Sequence, residues 1–250
     1  MNPSPNHEIS VIDLGQIDYK EAWDFQTARF NEILSVKAEN RTRAGGDQLS
    51  TKNFLILCEH PHVFTLGKSG DEKNLLIKKD DLASIQATYY AINRGGDITY
   101  HGPGQIVAYL VLDLENFFTD IHRYMRTLEE SVIRALREFS IEGDRIQGLT
   151  GVWIEPLDPV KARKICALGV KTSRWVTLHG LAFNVNTDLH YFDYIVPCGL
   201  ADKAVTSMNN ELGFAPDIVA VKASLRKNIL TLFGELQEVT TQASISTGSV

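Results

Sequence analysis

Cys198 is the cysteine of this chain whose surroundings best suit a nucleophile. It lies between Pro197, which fixes the backbone, and Gly199, which allows a sharp turn and the close approach of a ligand. A rigid turn of this kind can present an exposed thiol, although many loop cysteines have no chemistry. Cys58 and Cys166 lie in apolar runs instead, which is typical of buried structural cysteines.

The cysteines predict neither a disulfide framework nor a metal centre. There are three of them, an odd number, and no two have CxxC spacing. The seven histidines are scattered and supply no second pair of ligands at zinc-finger spacing. We therefore expect no metal, and Cys198 remains either a nucleophile or an inert loop residue.

The segment KICALGVKTS contains a lysine that could activate a thiol. Lys164 either extends to solvent, the common behaviour of a lysine at the start of a strand, or faces a nucleophile from a half-buried position. In the second case its ammonium group would lower a neighbouring thiol pKa from about 8.5. Cys166 would share a strand face with Lys164, so spacing alone leaves Cys166 as a rival to Cys198.

A second stretch, RGGDITYHGPGQ, combines four glycines with side chains that favour binding. It has neither the GxxxxGK[ST] nor the GxGxxG pattern of phosphate-binding loops, so nucleotide binding has little support. The glycines fit a tight hairpin between two strands and a ligand-binding loop equally well. Arg94, Tyr100 and His101 favour the binding loop, because such side chains are rarely concentrated in a plain connection.

Hydrophobic periodicity predicts an α/β (α+β) fold, in which a mixed β-sheet is flanked by helices. Helices are predicted over residues 19–37, 120–139 and 216–233, with a shorter one in LIKKDDLASI. Strands are predicted for EISVIDLG, NFLILCE, HVFTLG, TYYAIN, QIVAYLVLDL, GVWIEP, KICALGVKTS and WVTLHGLAFNVN. We divide the chain into a catalytic domain, residues 1–215, a C-terminal helix packing on it, 216–235, and a disordered tail, 236–250.

The charge balance limits the possible partners. The net charge of −6 argues against nucleic-acid binding, which needs a dense basic face. No apolar run approaches the roughly 20 residues of a membrane span, and no secretory signal begins the chain, so we expect a cytoplasmic protein and, by default, a monomer. Two basic clusters are either solvated faces or a dock for an acidic partner protein. They are Lys68, Lys73, Lys78 and Lys79, and Arg163, Lys164, Lys171 and Arg174.

Four stretches in order, RGGDITYHGPGQIVAY, RKICALGV, HGLAFNVN and PCGL, resemble the successive blocks of the lipoyl(octanoyl) transferases. The resemblance runs from about residue 53 to 212, and no motif position departs from it. RGG-x-x-TYHGPGQ is distinctive by itself, and the separation of Lys164 from Cys198 matches the lysine–cysteine pair of the family. The first 50 residues and the tail after about 235 lie outside the resemblance.

The resemblance implies an enzyme that needs no cofactor and transfers an octanoyl or lipoyl group from acyl carrier protein to a lysine of lipoyl domains. Its acceptors would include the lipoyl domains of 2-oxoacid dehydrogenases and the glycine cleavage H protein. Its fold would be the catalytic fold of the biotin/lipoate-protein ligases. Cys198 would form the acyl thioester, and Lys164 would lower the pKa of Cys198 and exchange protons with the substrates. The implied acyl-binding residues are Arg94, Gly95, Gly96, Asp97, Ile98, Thr99, Tyr100, His101, Ala167, Leu168, Gly169, Gly180, Leu181 and Ala182.

Other functions and another base are compatible with parts of this pattern. An ATP-dependent lipoate- or biotin-protein ligase would use the lysine and no cysteine, and Cys198 in PCG argues against it. A non-catalytic acyl- or lipoyl-domain-binding protein would share the pocket without needing the Lys164–Cys198 pair. On the residues alone, His101 or His179 could replace Lys164 as the base, whereas the resemblance favours Lys164.

Overall fold

A computed structural model describes residues 5–44, 47–196 and 204–234 of the chain. Its helices are α1 (Tyr19–Asn40), α2 (Ile121–Glu138), α3 (Met208–Leu212) and α4 (Ile218–Phe233), with 3₁₀ turns at Glu72–Asn74, Lys79–Ile85, Leu114–Asn116 and Leu189–Tyr194. Its strands are β1 (Ser10–Gln16), β2 (Phe54–Glu59), β3 (Val63–Leu66), β4 (Thr88–Ala91), β5 (Ile98–His101), β6 (Gln105–Val111), β7 (Gly143–Asp144), β8 (Val152–Ile154), β9 (Arg163–Ser173), β10 (Val176–Asn184) and β11 (Ala204–Val205).

The larger of two sheets carries the fold. Its described strands lie in the order β1-β2-β6-β10-β9-β8-β7, and β11 pairs with β9 at the end that β10 does not reach. β1 runs parallel to β2, whereas the neighbours from β2 to β7 are antiparallel. β2 and β6 are buried along nearly their whole length, as their continuous apolar sequences predict. The predicted mixed sheet is therefore confirmed.

Helices cover both faces of this sheet. α2 and α4 pack on each other and against one face, where Leu128 and Leu225 belong to the same fully buried cluster. α1 covers the other face through Phe30 and Ile33. Both long helices begin with an aspartate whose side chain accepts a backbone N–H, Asp18 for α1 and Asp120 for α2.

The smaller sheet carries the glycine-rich stretch. Its order is β4-β3-β5, with β3 between a parallel and an antiparallel neighbour. β4 and β5 do not pair in the described structure, and the turn after β5 leads into β6 of the large sheet. A tight hairpin was therefore the wrong interpretation of RGGDITYHGPGQ. The segment connects the two sheets and supplies β5.

The last helix begins slightly later than the sequence predicts. Asp217 caps α4 through its side chain, and Pro216 precedes the cap instead of opening the first turn. α4 and α2 contribute to the same apolar cluster. The division of the chain into domains at residue 215 stays a prediction. The predicted tail, 236–250, lies outside the described residues. None of the described helices is long and apolar enough to cross a bilayer.

Candidate active site

A cavity of about 520 Å³ lies among β5, β6, β9 and β10. Twelve of the fourteen predicted acyl-binding residues line it, as does Lys164. We call the part lined by Leu149, Lys164 and Val205 the outer end, and the part lined by Tyr19, Tyr109 and His179 the inner end. The residues brought together from the glycine-rich segment and from β9 and β10 are Arg94, Gly95, Gly96, Ile98, Thr99, His101, Ala167, Leu168, Gly169, Gly180, Leu181 and Ala182.

The β9–β10 hairpin supplies one wall through successive paired residues. Ala167 pairs with Ala182, Leu168 with Leu181, and Gly169 with Gly180. Small side chains at two of these three pairs leave room between the strands and the glycine-rich segment. The predicted wall is therefore built by the two motif blocks in register, and its role in acyl binding stays a prediction.

Arg94 is buried at the cavity wall and held by main-chain and hydroxyl oxygens. Its Nη2 donates to Thr65 O at 2.6 Å and to Thr65 Oγ1 at 3.0 Å, and Nη1 donates to Gly95 O at 3.2 Å. Glycines make room for the guanidinium group: a Cβ on Gly67 would overlap Gly96 O and lie 2.9 Å from Arg94 Nη1. A Cβ on Gly169 would lie 3.0 Å from Arg94 Cδ.

Two predicted lining residues point elsewhere. Asp97 Oδ2 accepts from Asn74 Nδ2 at 2.5 Å and its Oδ1 accepts from Ile98 N at 2.7 Å, so its carboxylate braces the loop. Tyr100 is fully buried and stacks on Tyr191 with ring centroids 4.9 Å apart. The expectation that Tyr100 walls the acyl groove is wrong, because this ring packs in the core of the smaller sheet against Phe64 and Tyr191.

His101 belongs to a buried hydrogen-bond chain. Its Nδ1 lies 2.8 Å from Gln105 Oε1, and Gln105 Nε2 donates to Asn184 Oδ1 at 2.9 Å. Asn184 Nδ2 donates to Thr206 O at 3.0 Å, which links this chain to the backbone beside Lys164. Burial, together with the nearby His60 and Arg94, lowers the pKa of His101 well below its usual range. His101 is therefore a neutral structural group and a poor general base.

His179 is the second histidine in the cavity wall. It is 2% exposed, and burial and the neighbouring cations Arg94 and Lys171 lower its pKa to about 3. Its Nε2 lies 3.2 Å from Asn93 Oδ1. A base with this pKa would rarely accept a proton from an amine, so both histidines are poor candidates for the general base, and the assignment of that role to Lys164 stays a prediction.

Lys164 is half-buried at the outer end. Its Nζ lies 4.6 Å from the centroid of the Trp153 ring, a cation–π distance. Gly151 packs against its stem, since a Cβ there would come within 3.3 Å of Lys164 Cε. Gly151 N in turn donates to the buried Glu129 Oε1 at 3.0 Å. Lys164 therefore holds a half-buried position against Trp153, and its role beside a nucleophile stays a prediction.

The rival thiols are inaccessible. Cys58 and Cys166 are free and fully buried, and burial raises the pKa of both thiols above its usual range. They are structural cysteines, as their apolar sequence settings predict. Cys198 lies outside the described residues. The described chain resumes at Ala204, and the next residue, Val205, pairs with Lys164.

Several lining residues were not predicted from the sequence. Gln105, Val107 and Tyr109 alternate along β6, and this period of two could have identified them once one was placed in the site. Tyr19 precedes the resembling region, and Met125 and the 148–150 loop carry no motif. The remaining unpredicted lining residues are Val170, Asn184, Phe192 and Val205, whereas His179 was considered only as an alternative base.

The two basic clusters are partly neutralised by acidic neighbours. Lys79 pairs with Glu72 at 3.0 Å, and Arg163 pairs with Glu155 and Glu211 at 2.7 and 2.5 Å. In the described residues, no group of three or more His, Cys, Asp or Glu side chains could hold a metal ion. Among the described residues that line the cavity, the ones with permanently ionisable basic side chains are Lys164 and Arg94.

A family model described as the lipoyl protein ligase A/B catalytic domain matches residues 18–230, and the chain belongs to this family. Within it, the chain is 56% identical over 233 residues to the octanoyltransferase of Cytophaga hutchinsonii, covering 93% of this chain and 96% of that one. It is 55% identical over 229 residues to the octanoyltransferase of Christiangramia forsetii, covering 91% and 97%. These relatives confirm the predicted octanoyltransferase class.

A solved structure of similar fold is the archaeal bipartite lipoate protein ligase with its E2 lipoyl domain from Thermoplasma acidophilum. The TM-score is 0.65 at 19% identity, covering 96% of this chain and 88% of that one. At this identity the likeness concerns the fold alone. It confirms the predicted mixed α/β fold of the lipoate protein ligases.

Proposed function

We propose that this protein transfers an octanoyl group from a carrier thioester to a lysine amine through a thioester on Cys198. The observation that carries the proposal is Lys164 at the wall of a largely apolar cavity, on the strand that pairs with the returning chain at Val205. Only six residues separate Cys198 from Val205 in the sequence. With Cys58 and Cys166 buried, Cys198 remains the cysteine available for the chemistry.

The first step moves the acyl group onto the enzyme. The Cys198 thiolate attacks the thioester carbonyl, a new C–S bond forms, and the bond to the carrier thiol breaks. Lys164, as an ammonium group, favours the thiolate and donates a proton to the departing carrier thiolate. One thioester replaces another, so this exchange is nearly balanced and requires no nucleotide.

The second step moves the acyl group to the acceptor. The lysine amine attacks the Cys198 thioester, an amide forms, and the Cys198 sulfur leaves as a thiolate. Lys164, now neutral, accepts the proton that the amine loses, which restores the starting state. The amide is more stable than the thioester, and this difference drives the transfer.

The cavity suits a saturated acyl chain. Leu168, Leu181 and Ala182 offer apolar surface, and burial of each CH₂ group contributes about 0.8 kcal/mol. The acceptors we propose are lipoyl domains, and the donor is octanoyl-loaded acyl carrier protein. The first basic cluster contributes little net charge to docking, because acidic residues alternate with its lysines.

The proposal is tested by trapping the intermediate. The full chain is incubated with octanoyl-loaded acyl carrier protein and quenched in acid, and its intact mass and peptide map are measured. We expect one octanoyl adduct on Cys198, absent in Cys198→Ala and retained in Cys166→Ala. An adduct that survives Cys198→Ala would overturn the thioester mechanism, and a requirement for ATP with free octanoate would favour a ligase.

A further inference from the structure

Glu129 is a buried carboxylate that takes no part in the two transfer steps. It lies in α2, its side chain is fully buried, and its Oε2 lies 2.9 Å from Arg126 Nη1 and 3.1 Å from Arg145 Nε. Its Oε1 accepts from Gly151 N at 3.0 Å. Burial raises the pKa of Glu129, and these three donors act against that rise. Both oxygens therefore have partners that offset the cost of burying a charge.

The hydrogen bond to Gly151 fixes a segment of the cavity wall at the outer end. Gly148, Leu149 and Thr150 line the cavity, and Gly151 ends this 148–151 segment where β8 begins. Gly151 has φ of 122°, a conformation that favours glycine, and its hydrogen bond to Glu129 is buried. A buried N–H that loses its acceptor costs about 1–3 kcal/mol, so the segment would have to move without Glu129.

Gly151 and the strand that follows it confine Lys164. A Cβ added to Gly151 would lie 2.7 Å from Cys166 O and 3.3 Å from Lys164 Cε, so the backbone here lies directly against the lysine stem. Two residues further on, Trp153 pairs with Lys164 across β8 and β9, and the centroid of its ring lies 4.6 Å from Nζ. A shift of Gly151 would therefore loosen the contact with the stem and move the ring beside Nζ.

We propose that Glu129 is a positioning residue that holds the Lys164 amine at the outer end through its hydrogen bond to Gly151. Glu129 does not line the cavity. It acts through the packing of the 148–151 segment on the lysine stem. This inference rests on the proposed function and adds to it how the lysine is held in place.

The partners of the two Glu129 oxygens differ in how easily they are replaced. Arg126 and Arg145 are 44% and 26% exposed, and Arg145 Nη2 also donates to Glu130 Oε2 at 2.8 Å. Water and Glu130 can therefore take the place of Oε2. The Gly151 N–H is buried against Oε1, where water does not replace the acceptor. The reach of the side chain to Gly151 should therefore matter more than its charge.

Two conservative substitutions separate reach from charge. Glu129→Gln keeps an oxygen that reaches Gly151 N and loses the charge, whereas Glu129→Asp keeps the charge and draws its oxygens back by up to about 1.5 Å. The full chain and both variants are acylated with octanoyl-loaded acyl carrier protein, adducts are followed by intact mass, and Cys198 is alkylated across pH. We expect Glu129→Asp to slow adduct formation about 10–100-fold and to move the alkylation profile to higher pH by about half of the shift in Lys164→Ala. Glu129→Gln should stay within about threefold of wild type.

Glu138→Asp is the matched control for Glu129→Asp. Glu138 lies on the same helix and accepts from Ser224 and Asn228 outside the cavity, so the same substitution there should leave the alkylation profile unchanged. A purely structural Glu129 would lower the free energy of unfolding in Glu129→Asp without moving the profile, and that result would overturn the inference. A loss in Glu129→Gln with Glu129→Asp unaffected would also overturn it, since charge would then decide.

A double variant tests whether Glu129 acts through Lys164. Glu129→Asp combined with Lys164→Ala should acylate within about threefold of Lys164→Ala alone, and a further tenfold loss would refute this route. Should Glu129→Asp fail to fold, Glu129→Leu against Glu129→Gln makes the same comparison, because both are neutral and only glutamine can accept from Gly151 N. An alkylation profile that does not respond to Lys164→Ala would refute the proposed role of Lys164 itself, which is distinct from a profile that responds to Lys164 and not to Glu129.

Discussion

The two ends of the cavity hold their polar groups in opposite ways. At the outer end Lys164 is half-buried, packs on Trp153 and lies beside β11, where the chain returns from Cys198. At the inner end His101 and His179 are buried, and desolvation keeps both rings neutral. The outer end presents the half-buried Lys164 amine, whereas the inner end shapes the cavity with two imidazole rings that burial keeps neutral.

The same contrast separates the cysteines. Cys166 lies two residues from Lys164, yet its thiol is fully buried and its pKa is raised by burial despite the nearby ammonium group. A cysteine that is close in the sequence to a lysine is therefore not made a nucleophile by that lysine alone. The thiol must also be reached by the substrate and by solvent.

Replacement of Lys164 is expected to have the largest effect, because it removes the charge that distinguishes the outer end. Lys164→Ala should slow acyl-adduct formation at neutral pH by about 10²–10⁴-fold and move the alkylation profile of Cys198 to higher pH. Stopped-flow alkylation across pH and adduct mass measure the two effects. Lys161→Ala is the matched control, since this exposed lysine lies two residues before β9 and outside the cavity. An unchanged alkylation profile in Lys164→Ala would refute the role.

A smaller loss is expected from a methyl group added against Gly96 and Arg94, behind the wall of the cavity. In Gly67→Ala the new Cβ would overlap Gly96 O and crowd Arg94, so the glycine-rich segment must shift. We expect a loss of about 1–3 kcal/mol in the free energy of unfolding and slower acylation. Denaturant unfolding and adduct mass measure both quantities.

Gly15→Ala serves as the control for Gly67→Ala. Gly15 has φ of 61° and no atom within 4 Å of its added Cβ, so its substitution tests backbone strain without crowding. Gly67→Ala acylating at the wild-type rate, with wild-type stability, would mean that the packing around Arg94 does not shape the cavity.

The sequence motifs predicted most of the residues that line the cavity. The predictions failed for residues whose side-chain direction depends on tertiary packing. The RGG, LGV and HGL blocks predicted twelve lining residues. Each block contains glycines that mark a close approach of the backbone, and the last two blocks face each other on paired strands. The prediction that Tyr100 and Asp97 line the cavity was wrong, because Tyr100 packs in the core of the smaller sheet and Asp97 accepts a hydrogen bond from Asn74. Tyr19 could not be predicted, since it comes from a helix whose place over the cavity depends on contacts far apart in the sequence.

The secondary structure also divides into elements that local sequence patterns predict and elements that depend on tertiary contacts. The long helices and buried strands follow from periodicity, and their predicted types were confirmed. β11 has two residues and no apolar pattern, so it exists only because β9 offers an edge beyond the end of β10. The pairing that brings the returning chain to Lys164 is therefore a tertiary feature that sequence patterns do not encode.

A further effect, which leaves stability at neutral pH unchanged, is a pH dependence of stability contributed by the inner end. The pKa of His179 is about 3 in the folded protein and about 6.5 in the unfolded chain, so the unfolded chain binds more protons between these values. The free energy of unfolding should therefore fall as pH is lowered from about 6.5 towards 3, by up to about 1.4 kcal/mol per pH unit for this histidine. His101 acts in the same direction.

Denaturant unfolding between pH 7 and 4.5 measures this contribution. The free energy of unfolding of His179→Asn should depend less steeply on pH than that of wild type, because the variant lacks one histidine whose pKa is lowered by folding. His190→Asn, at a histidine whose side chain is 91% exposed, should keep the wild-type slope. Equal slopes for His179→Asn and wild type would mean that the pKa of His179 is the same in the folded protein as in the unfolded chain, and burial would then not keep this ring neutral.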